Sequence, residues 1–409
     1  MNMKKYCLLV IILMAQCLFA NNQLLYLTHP MASLSFAQLY LGMDAQFIPN
    51  SGAIPNISGE SFSFNSGTIP RFKIGGLHFW GHADFYVTFS LSANTTSSGA
   101  NSGSLSTGIE TGAKYYLMQL KPYHLSPFFG ISWLIMQYQQ DTQAGSGPST
   151  SFNRFPLLVG VSYPVSAGIF ELGAGWIDDN ELSYPLSTSD RGIVTLPSIF
   201  TWFGFNYTIE TTQKSDVFTG DINNAWMLSV GPSSAYQLST SSYNDTNRDY
   251  LNETKGLALF PEFGVGYYWY DIDAAINVVY RDITFEDSAY GTTQIRNRQS
   301  ISLEGVKFLF DYHGFVPFIG ASLSSDTLRV TDSSASLDIS ANKLRLGLIF
   351  GWDIRPFRNP VMLLRTNLRY YPNTTLNASS TESFAFDQLE FNFIEAVIYP
   401  ERLMSFINK

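Results

Sequence analysis

Through nearly its whole length the chain runs in stretches of about 10 to 14 residues in which apolar and polar side chains alternate, each stretch ended by a Ser, Asn, Thr, Gly or Asp loop. A two-residue period is that of a β-strand with different media on its two faces. In Leu105, Thr107, Ile109, Thr111, Ala113 and Tyr115 one face suits hydrocarbon, while Ser106, Gly108, Glu110, Gly112 and Lys114 turn the other way. An open soluble sheet could carry one such run. Repetition in run after run, with Tyr, Trp and Phe crowded at the ends, points instead to a closed sheet, because hydrocarbon offers no partner to an unpaired sheet edge. The expected fold is all-β, an antiparallel transmembrane β-barrel.

The N-terminus sets the expected compartment. Lys4 and Lys5 precede the apolar stretch from Tyr6 to Phe19, and Ala20 is a small residue before Asn21 and Asn22. That order reads as a secretory signal cut near Ala20, although Leu18 is larger than the usual residue three before a cut. Both cysteines, Cys7 and Cys17, fall in this segment, so the mature chain is expected to have neither disulfide nor thiol chemistry. Without Lys4 and Lys5 the 24 basic residues become 22 against 33 acidic ones, which argues against nucleic acid as a partner. Charged residues make up only 14% and aromatic ones 15%, too few charges and too many rings for an ordinary soluble chain of this size. No later segment is apolar for long enough to cross a membrane as a helix.

Strands are expected near residues 33–47, 70–79, 83–94, 105–120, 125–140, 152–163, 166–177 and 192–209, and again near 225–240, 256–270, 271–283, 298–312, 313–329, 340–355, 360–372 and 384–399. Sixteen is an even number, as bacterial barrels require. Long polar loops, among them Asp141 to Ser151, Asp178 to Arg191, Ser241 to Lys255 and Glu286 to Arg298, alternate with tight turns such as Trp80-Gly81-His82 and Tyr270-Asp271. Long loops outside and short turns on the periplasmic side is the arrangement of this class.

The two halves echo one another at an offset of about 190 residues. Pro70-Arg71-Phe72 matches Pro261-Glu262-Phe263, Asp84 matches Asp273, and Gly112-Ala113-Lys114-Tyr115 matches Gly305-Val306-Lys307-Phe308. Pro127-Phe128-Phe129-Gly130 matches Pro317-Phe318-Ile319-Gly320, and Trp202-Phe203-Gly204-Phe205 matches Glu390-Phe391-Asn392-Phe393. The expected organisation is a signal at 1–20, one eight-stranded half at 21–209, a periplasmic connection at 210–224, and a duplicated second half at 225–409.

With these motifs in place, the chain resembles the outer-membrane β-barrel superfamily, and each half resembles an OmpA-like or OmpW-like small barrel. The strand, tight turn and Pro-Phe-x-Gly arrangement at Gly112 to Gly130 and at Gly305 to Gly320 carries the resemblance. It implies a barrel fold and an outer-membrane address, and it transfers no catalytic or binding residue. Such chains commonly end on an aromatic residue recognised for assembly, whereas this one continues past Phe393 and Tyr399 to Lys409. The implied partners are outer-membrane lipid, periplasmic chaperones and the barrel-assembly machinery.

Two architectures fit the duplication. One sixteen-stranded barrel, the arrangement the sequence reading leans to, would enclose a wet lumen, and two tandem eight-stranded barrels would each be filled by their own side chains. Alternation turns Lys73, Asp84, Glu110, Lys114, Arg154 and Glu171 inward in the first half, and Glu262, Asp273, Arg281, Glu304, Arg345, Arg365, Arg369 and Glu390 inward in the second. Each set is nearly neutral. A packed interior demands that balance, because an unpaired buried charge is costly.

Catalytic signals are sparse. His78, His82, His124 and His313 map to strand ends or turns on the periplasmic side, His29 lies near the start, and no G-x-S-x-G turn is present. Asp245, Asn247 and Asp249 have the spacing that opens an EF-hand loop, but Tyr250 stands where that loop needs Gly and Gly256 where it needs Glu. The acidic cluster Asp178, Asp179 and Glu181 reads as a solvated loop. Tyr267 to Tyr270 and Tyr370-Tyr371 read as interfacial girdles. No cofactor or metal is implied, and an enzyme is not expected. The preferred function is a passive, porin-like channel for small solutes. A filled structural, adhesive or scaffold barrel is the alternative, and an outer-membrane enzyme stands third.

Overall fold

The computed structural model describes residues 37–57, 59–98, 101–165, 168–209, 224–252, 257–311, 314–355, 361–372 and 374–407. The signal at 1–20 and the connection at 210–223 lie outside them. The first half contributes β1 (Ala37–Ile48), β2 (Gly67–His78), β3 (Ala83–Ser90), β4 (Asn101–Tyr116), β5 (Ser126–Thr142), β6 (Leu157–Val165), β7 (Gly168–Trp176) and β8 (Ile199–Ile209). The second contributes β9 (Ala225–Gln237), β10 (Leu257–Trp269), β11 (Ala274–Ala289), β12 (Thr292–Phe308), β13 (Phe315–Asp332), β14 (Leu337–Ile354), β15 (Met362–Tyr371) and β16 (Gln388–Ile398).

Every pairing among these sixteen strands is antiparallel and joins neighbours in sequence, with two exceptions that close rings. β1 pairs with β8 from Leu39↔Ile209 to Phe47↔Thr201. β9 pairs with β16 from Leu228↔Ile398 to Gln237↔Gln388. The remaining ladders of the first ring run β1–β2, β2–β3, β3–β4, β4–β5, β5–β6, β6–β7 and β7–β8. The second ring closes in the same order, β9 through β16. Two eight-stranded halves are thus present, arranged as tandem barrels. The single sixteen-stranded ring is ruled out by where β1 pairs, a long-range contact that leaves no trace in local alternation.

Outside faces are apolar in both barrels. On β14 the outward residues Leu344, Leu346, Leu348 and Phe350 are all more than half exposed, and on β5 and β6 so are Phe129, Ile131, Leu157 and Val159. One expectation about such a face fails. A bulge between Ser106 and Ile109 sets two residues of β4, Thr107 and Gly108, against one of β5, Met136. Below the bulge Glu110, Gly112 and Lys114 point inward, but above it the inward side is taken by Leu105 and Thr107, both buried. The alternation in that run therefore switches face midway.

The second barrel is taller on one wall. Glu286 to Arg298, read from sequence as a loop, is the continuation of β11 and β12 around a two-residue turn at Tyr290-Gly291, where both φ are positive. Beyond the apolar belt the outward side becomes polar, as at Asp282, Glu286 and Asn297, while the ladder goes on uninterrupted. The loop expected at Ser241 to Lys255 holds two short helices, Ser242–Asn247 and Asp249–Asn252. A helix at Pro400–Ile407 follows the last strand.

Candidate functional site

The interior of each ring is where the sequence gathers its charges, and it is filled. In the first barrel Arg71 lies 2.6 Å from Asp44 and 2.6 Å from Glu110, whose other oxygen accepts a 2.7 Å bond from Tyr86. Glu171 is a hub. It accepts from Lys114 at 2.6 Å, Lys73 at 3.1 Å and the Trp202 indole at 2.6 Å. Lys114 also reaches Asp84 at 3.3 Å, and Tyr40 donates to Asp84 at 2.7 Å. Room for the two tyrosines comes from glycine on the facing strands: a Cβ on Gly75 would stand 2.3 Å from the Tyr40 hydroxyl, and one on Gly112 would stand 2.5 Å from that of Tyr86. Alternation of small and large residues is how a narrow barrel fills its bore.

The second barrel is crosslinked by arginine forks. Arg369 contacts Glu262 and Glu304 at 2.8 Å each, and Arg281 joins Glu262 at 2.9 Å, Glu304, and Glu390 at 3.4 Å. Arg298 links Glu390 to Asp326 at 2.7 Å, and Arg345 reaches the same Asp326 at 3.0 Å. Nearer the end of the barrel that carries the short turns, Arg365 forms a two-pronged pair with Asp353 at 2.7 and 3.1 Å. The planar guanidinium is suited to this role, with donors that reach two carboxylates at once. None of these residues is more than 4% exposed. A water-filled bore would wet them.

Both ends are stopped as well. At the end with the short turns, Tyr268, Phe308, Phe318, Leu363, Val397 and Tyr399 form an apolar layer in the second barrel. At the opposite end, Tyr243 and Phe384 come from the connecting segments and pack on Leu328 and Val330 of the tall wall. In the first barrel the loop residues Ile54, Phe64, Tyr184 and Leu186 join the strand residues Leu105 and Tyr138 in one continuous core.

Of the fourteen charged residues placed inward from sequence, Lys73, Asp84, Glu110, Lys114 and Glu171 lie together in the first ring. Glu262, Arg281, Glu304, Arg345, Arg365, Arg369 and Glu390 lie together in the second. Two fall elsewhere. Arg154 ends the short strand Thr150–Arg154 that runs beside the upper part of β5, and it faces Asp179 at 3.4 Å. Asp273 sits exposed in the turn before β11 with φ at 43°. Interior members that sequence reasoning missed include Asp44, Arg71, Arg298, Asp326 and Asp353. Arg71 shares the parity of Lys73, and Asp353 that of Arg345, so alternation carried the signal for both. Arg298 and Asp326 were missed because their stretches look like loop or strand end.

The matched motifs of the halves keep their sense in three cases. Arg71 and Glu262 both point inward, as do Phe128 with Phe318 and Trp202 with Glu390. Lys114 is buried whereas Lys307 is exposed and donates to the Ile272 carbonyl at 2.6 Å, so that match is out of step. Asp84 is buried and Asp273 exposed.

The two barrels stand side by side with the same ends up. At the rim that carries the short turns His78, on the outer side of β2, meets Phe315 edge-on at 5.5 Å. At the level of the apolar outer belt Val87 and Ile109 of the first barrel pack with Phe391 of the second. Higher up, Trp133 donates to Asn153 at 2.9 Å, which donates to the Tyr236 hydroxyl at 2.8 Å. At the outer end the Tyr290 amide bonds to the Ser146 carbonyl at 2.9 Å, its hydroxyl bonds to that of Pro185 at 2.8 Å, and Arg191 pairs with Asp249 at 2.9 Å. Asp249 and Asp179, weighed as metal-binding from sequence, are thus each beside an arginine, and among the described residues no cluster of His, Cys, Asp and Glu is arranged to hold a metal ion.

No protein-family model matches the chain, and no curated protein does. Among solved structures it is similar to Neisserial surface protein A, at 14% identity over 43% of this chain and 99% of that one, with a TM-score of 0.32. It is also similar to an outer membrane channel from Pseudomonas putida F1, at 11% identity over 89% and 96% with a TM-score of 0.23. The β domain of the Bordetella autotransporter BrkA shares 9% identity over 89% and 99%, also with a TM-score of 0.23. The likeness is to outer-membrane β-barrel proteins as a class. The chain's own strand pairing is what makes it a pair of closed antiparallel barrels.

Proposed function

We propose that this chain is an integral outer-membrane protein whose two filled barrels support an outer surface built from their connecting segments, the scaffold or adhesive reading, and that it conducts no solute. The observation that carries this reading is the interior: cations and carboxylates no more than 6% exposed, paired with each other, between apolar stops. A channel needs a continuous file of water past weak, wetted sites. Closed rings with broad apolar outer faces support the membrane address. Assembly would draw on the periplasmic chaperones and barrel-assembly machinery that serve such chains, after loss of the signal near Ala20. A catalytic role is not part of this reading, since His78, His82 and His124 all lie toward the periplasmic rim. A duplicated ancestor accounts for the three motif pairs that keep their sense in both rings.

Purified protein in planar bilayers tests the reading. No steady conductance is expected from the parent, and the triple change of Arg345, Arg365 and Arg369 to Gln should lower heat stability by several kcal/mol without opening a path, about 3 to 5 kcal/mol being typical when one buried pair is broken. Stable unit conductance in the parent, with altered ion selectivity in the triple variant, would establish the channel reading instead. Recovery of the mature chain in the soluble periplasm would refute the membrane address.

A further inference from the structure

The upper part of β14 has a partner strand on one side only. Its ladder with β13 runs unbroken from Phe315↔Ile354 to Asp332↔Leu337, whereas its ladder with β15 stops at Leu348↔Tyr370. The cause is local: Pro372 follows the end of β15 and has no N–H to give, and the chain leaves for the small hairpin of Thr375–Asn377 with Ser383–Ala385. From Leu337 to Gly347 the backbone of β14 therefore makes no hydrogen bond to anything but β13 among the described residues. Exposure records the open side: Leu344 and Leu346 are 76% and 71% exposed, against 46% for Leu323, which lies between two strands.

Proteins blunt such edges with proline, a bulge or a row of charges. β14 has neither proline nor bulge, and its exposed charges are Asp338, tied to Arg329, and Lys343, which has no ion pair among the described residues. Toward the barrel mouth, Leu337, Ile339 and Ala341 pack on Leu328, Val330, Phe384 and Phe386 but stay half-buried, because the apolar layer ends with them. We propose that this edge takes up an extended peptide segment of another protein by strand addition, antiparallel to β14 from Leu337 to Arg345, with apolar side chains beside Ile339 and Ala341 and a carboxylate beside Lys343. Lipid offers no alternating row of donors and acceptors. A second copy cannot pair through the same edge, since copies standing in one membrane with the same end up tilt β14 alike, and antiparallel pairing would need one of them inverted. The pattern that fits is present in the chain: β13 sets Asp326 opposite Lys343, Leu328 opposite Ala341 and Val330 opposite Ile339. The inference deepens the scaffold or adhesive reading and rests on it for the direction in which the tall wall points.

The test titrates full-length protein in detergent micelles with a fluorescent synthetic peptide that copies Ser324 to Asp332, read by polarisation. Saturable binding is expected. Methylating alternate backbone nitrogens of the peptide separates strand addition from apolar sticking: the set that turns toward β14 should weaken binding about tenfold or more, and the other set should leave it within about twofold. Lys343→Glu should weaken binding about fivefold, and the peptide carrying Asp326→Lys should recover it. If Lys343→Glu does not assemble, the two methylated peptides on the parent protein decide. No saturable binding, equal loss from both methylated sets, or indifference to Lys343→Glu would each overturn the proposal. Binding by purified protein that is absent on intact cells carrying it, and restored when their outer membrane is opened, would uphold the edge and refute the outward direction of the wall.

Discussion

The two barrels of this chain meet the same requirement, a bore too narrow for water, with different cations. The first uses two lysines and one arginine among aromatic rings: Lys73 and Lys114 lie 4.6 and 4.4 Å from the Tyr86 ring centre, and both point at Glu171. Among the described residues the second uses six buried arginines, whose forked donors can touch more than one partner. An ammonium is a compact point charge, so its carboxylate and its aromatic cage must converge on one spot. A guanidinium spreads its donors, so charge balance can be shared along a chain of pairs. The first interior is therefore a hub and the second a mesh, and they should fail differently when one member is removed.

The largest effect is expected at the hub. Glu171→Gln leaves Lys73 without its paired carboxylate and weakens the hold on Lys114, so the first barrel should lose about 3 to 5 kcal/mol, read as urea unfolding in micelles followed by a Trp202 signal. The outer faces should show no such asymmetry. Leu346→Arg in the second barrel and Val159→Arg in the first should each cost about 2 to 4 kcal/mol, because both stand on the apolar outer face that the proposed function turns to hydrocarbon. A cost confined to one of them would mean that the other face is not turned to lipid.

The mesh should give way more gently. After Glu304→Gln, Arg281 and Arg369 still hold Glu262, so the expected loss is about 1 to 3 kcal/mol, the range for one buried polar group losing its partner. A loss as great as that of Glu171→Gln would show that the two interiors are built alike after all. The smallest effect belongs to the tall wall of the second barrel, above the apolar belt. There a hydrogen bond from Arg329 holds the exposed Asp338 carboxyl below its usual range. A lowered carboxylate pKa stabilises above its unfolded value, near 4, and that contribution disappears as pH falls through the folded value. Amide protection factors, taken relative to the intrinsic exchange rate at each pH, should therefore fall slightly in acid at the end of β13 and the start of β14, and Asp338→Asn should abolish that fall.

Much of this was legible in the alternation, because parity follows from backbone geometry alone. It put Lys73, Glu110, Lys114 and Glu171 on one side, and Arg365 and Arg369 likewise. What alternation cannot encode is an added residue, which is why the bulge at Ser106 carries Leu105 to the inside. Nor can it tell strand from loop once the outside medium is water, which is why the Arg298 stretch read as a connection. Asp273 shows that a sequence match need not share a place in the ladder. Ring closure was the least legible feature of all: β1 offers the same edge to β8 as to β16, and only the packed interior distinguishes them.

Ring closure also bears on how such a molecule can grow. Once β8 returns to β1, all the ladder donors and acceptors of that half are spoken for, and the next half cannot be recruited by strand addition. It can only be laid alongside, held by rings, a few hydroxyls and the loops that reach across at Tyr290 and Arg191. Enlargement of this kind leaves the bore unchanged and widens the outward-facing surface instead, so a third barrel would add area to the exterior and nothing to permeability.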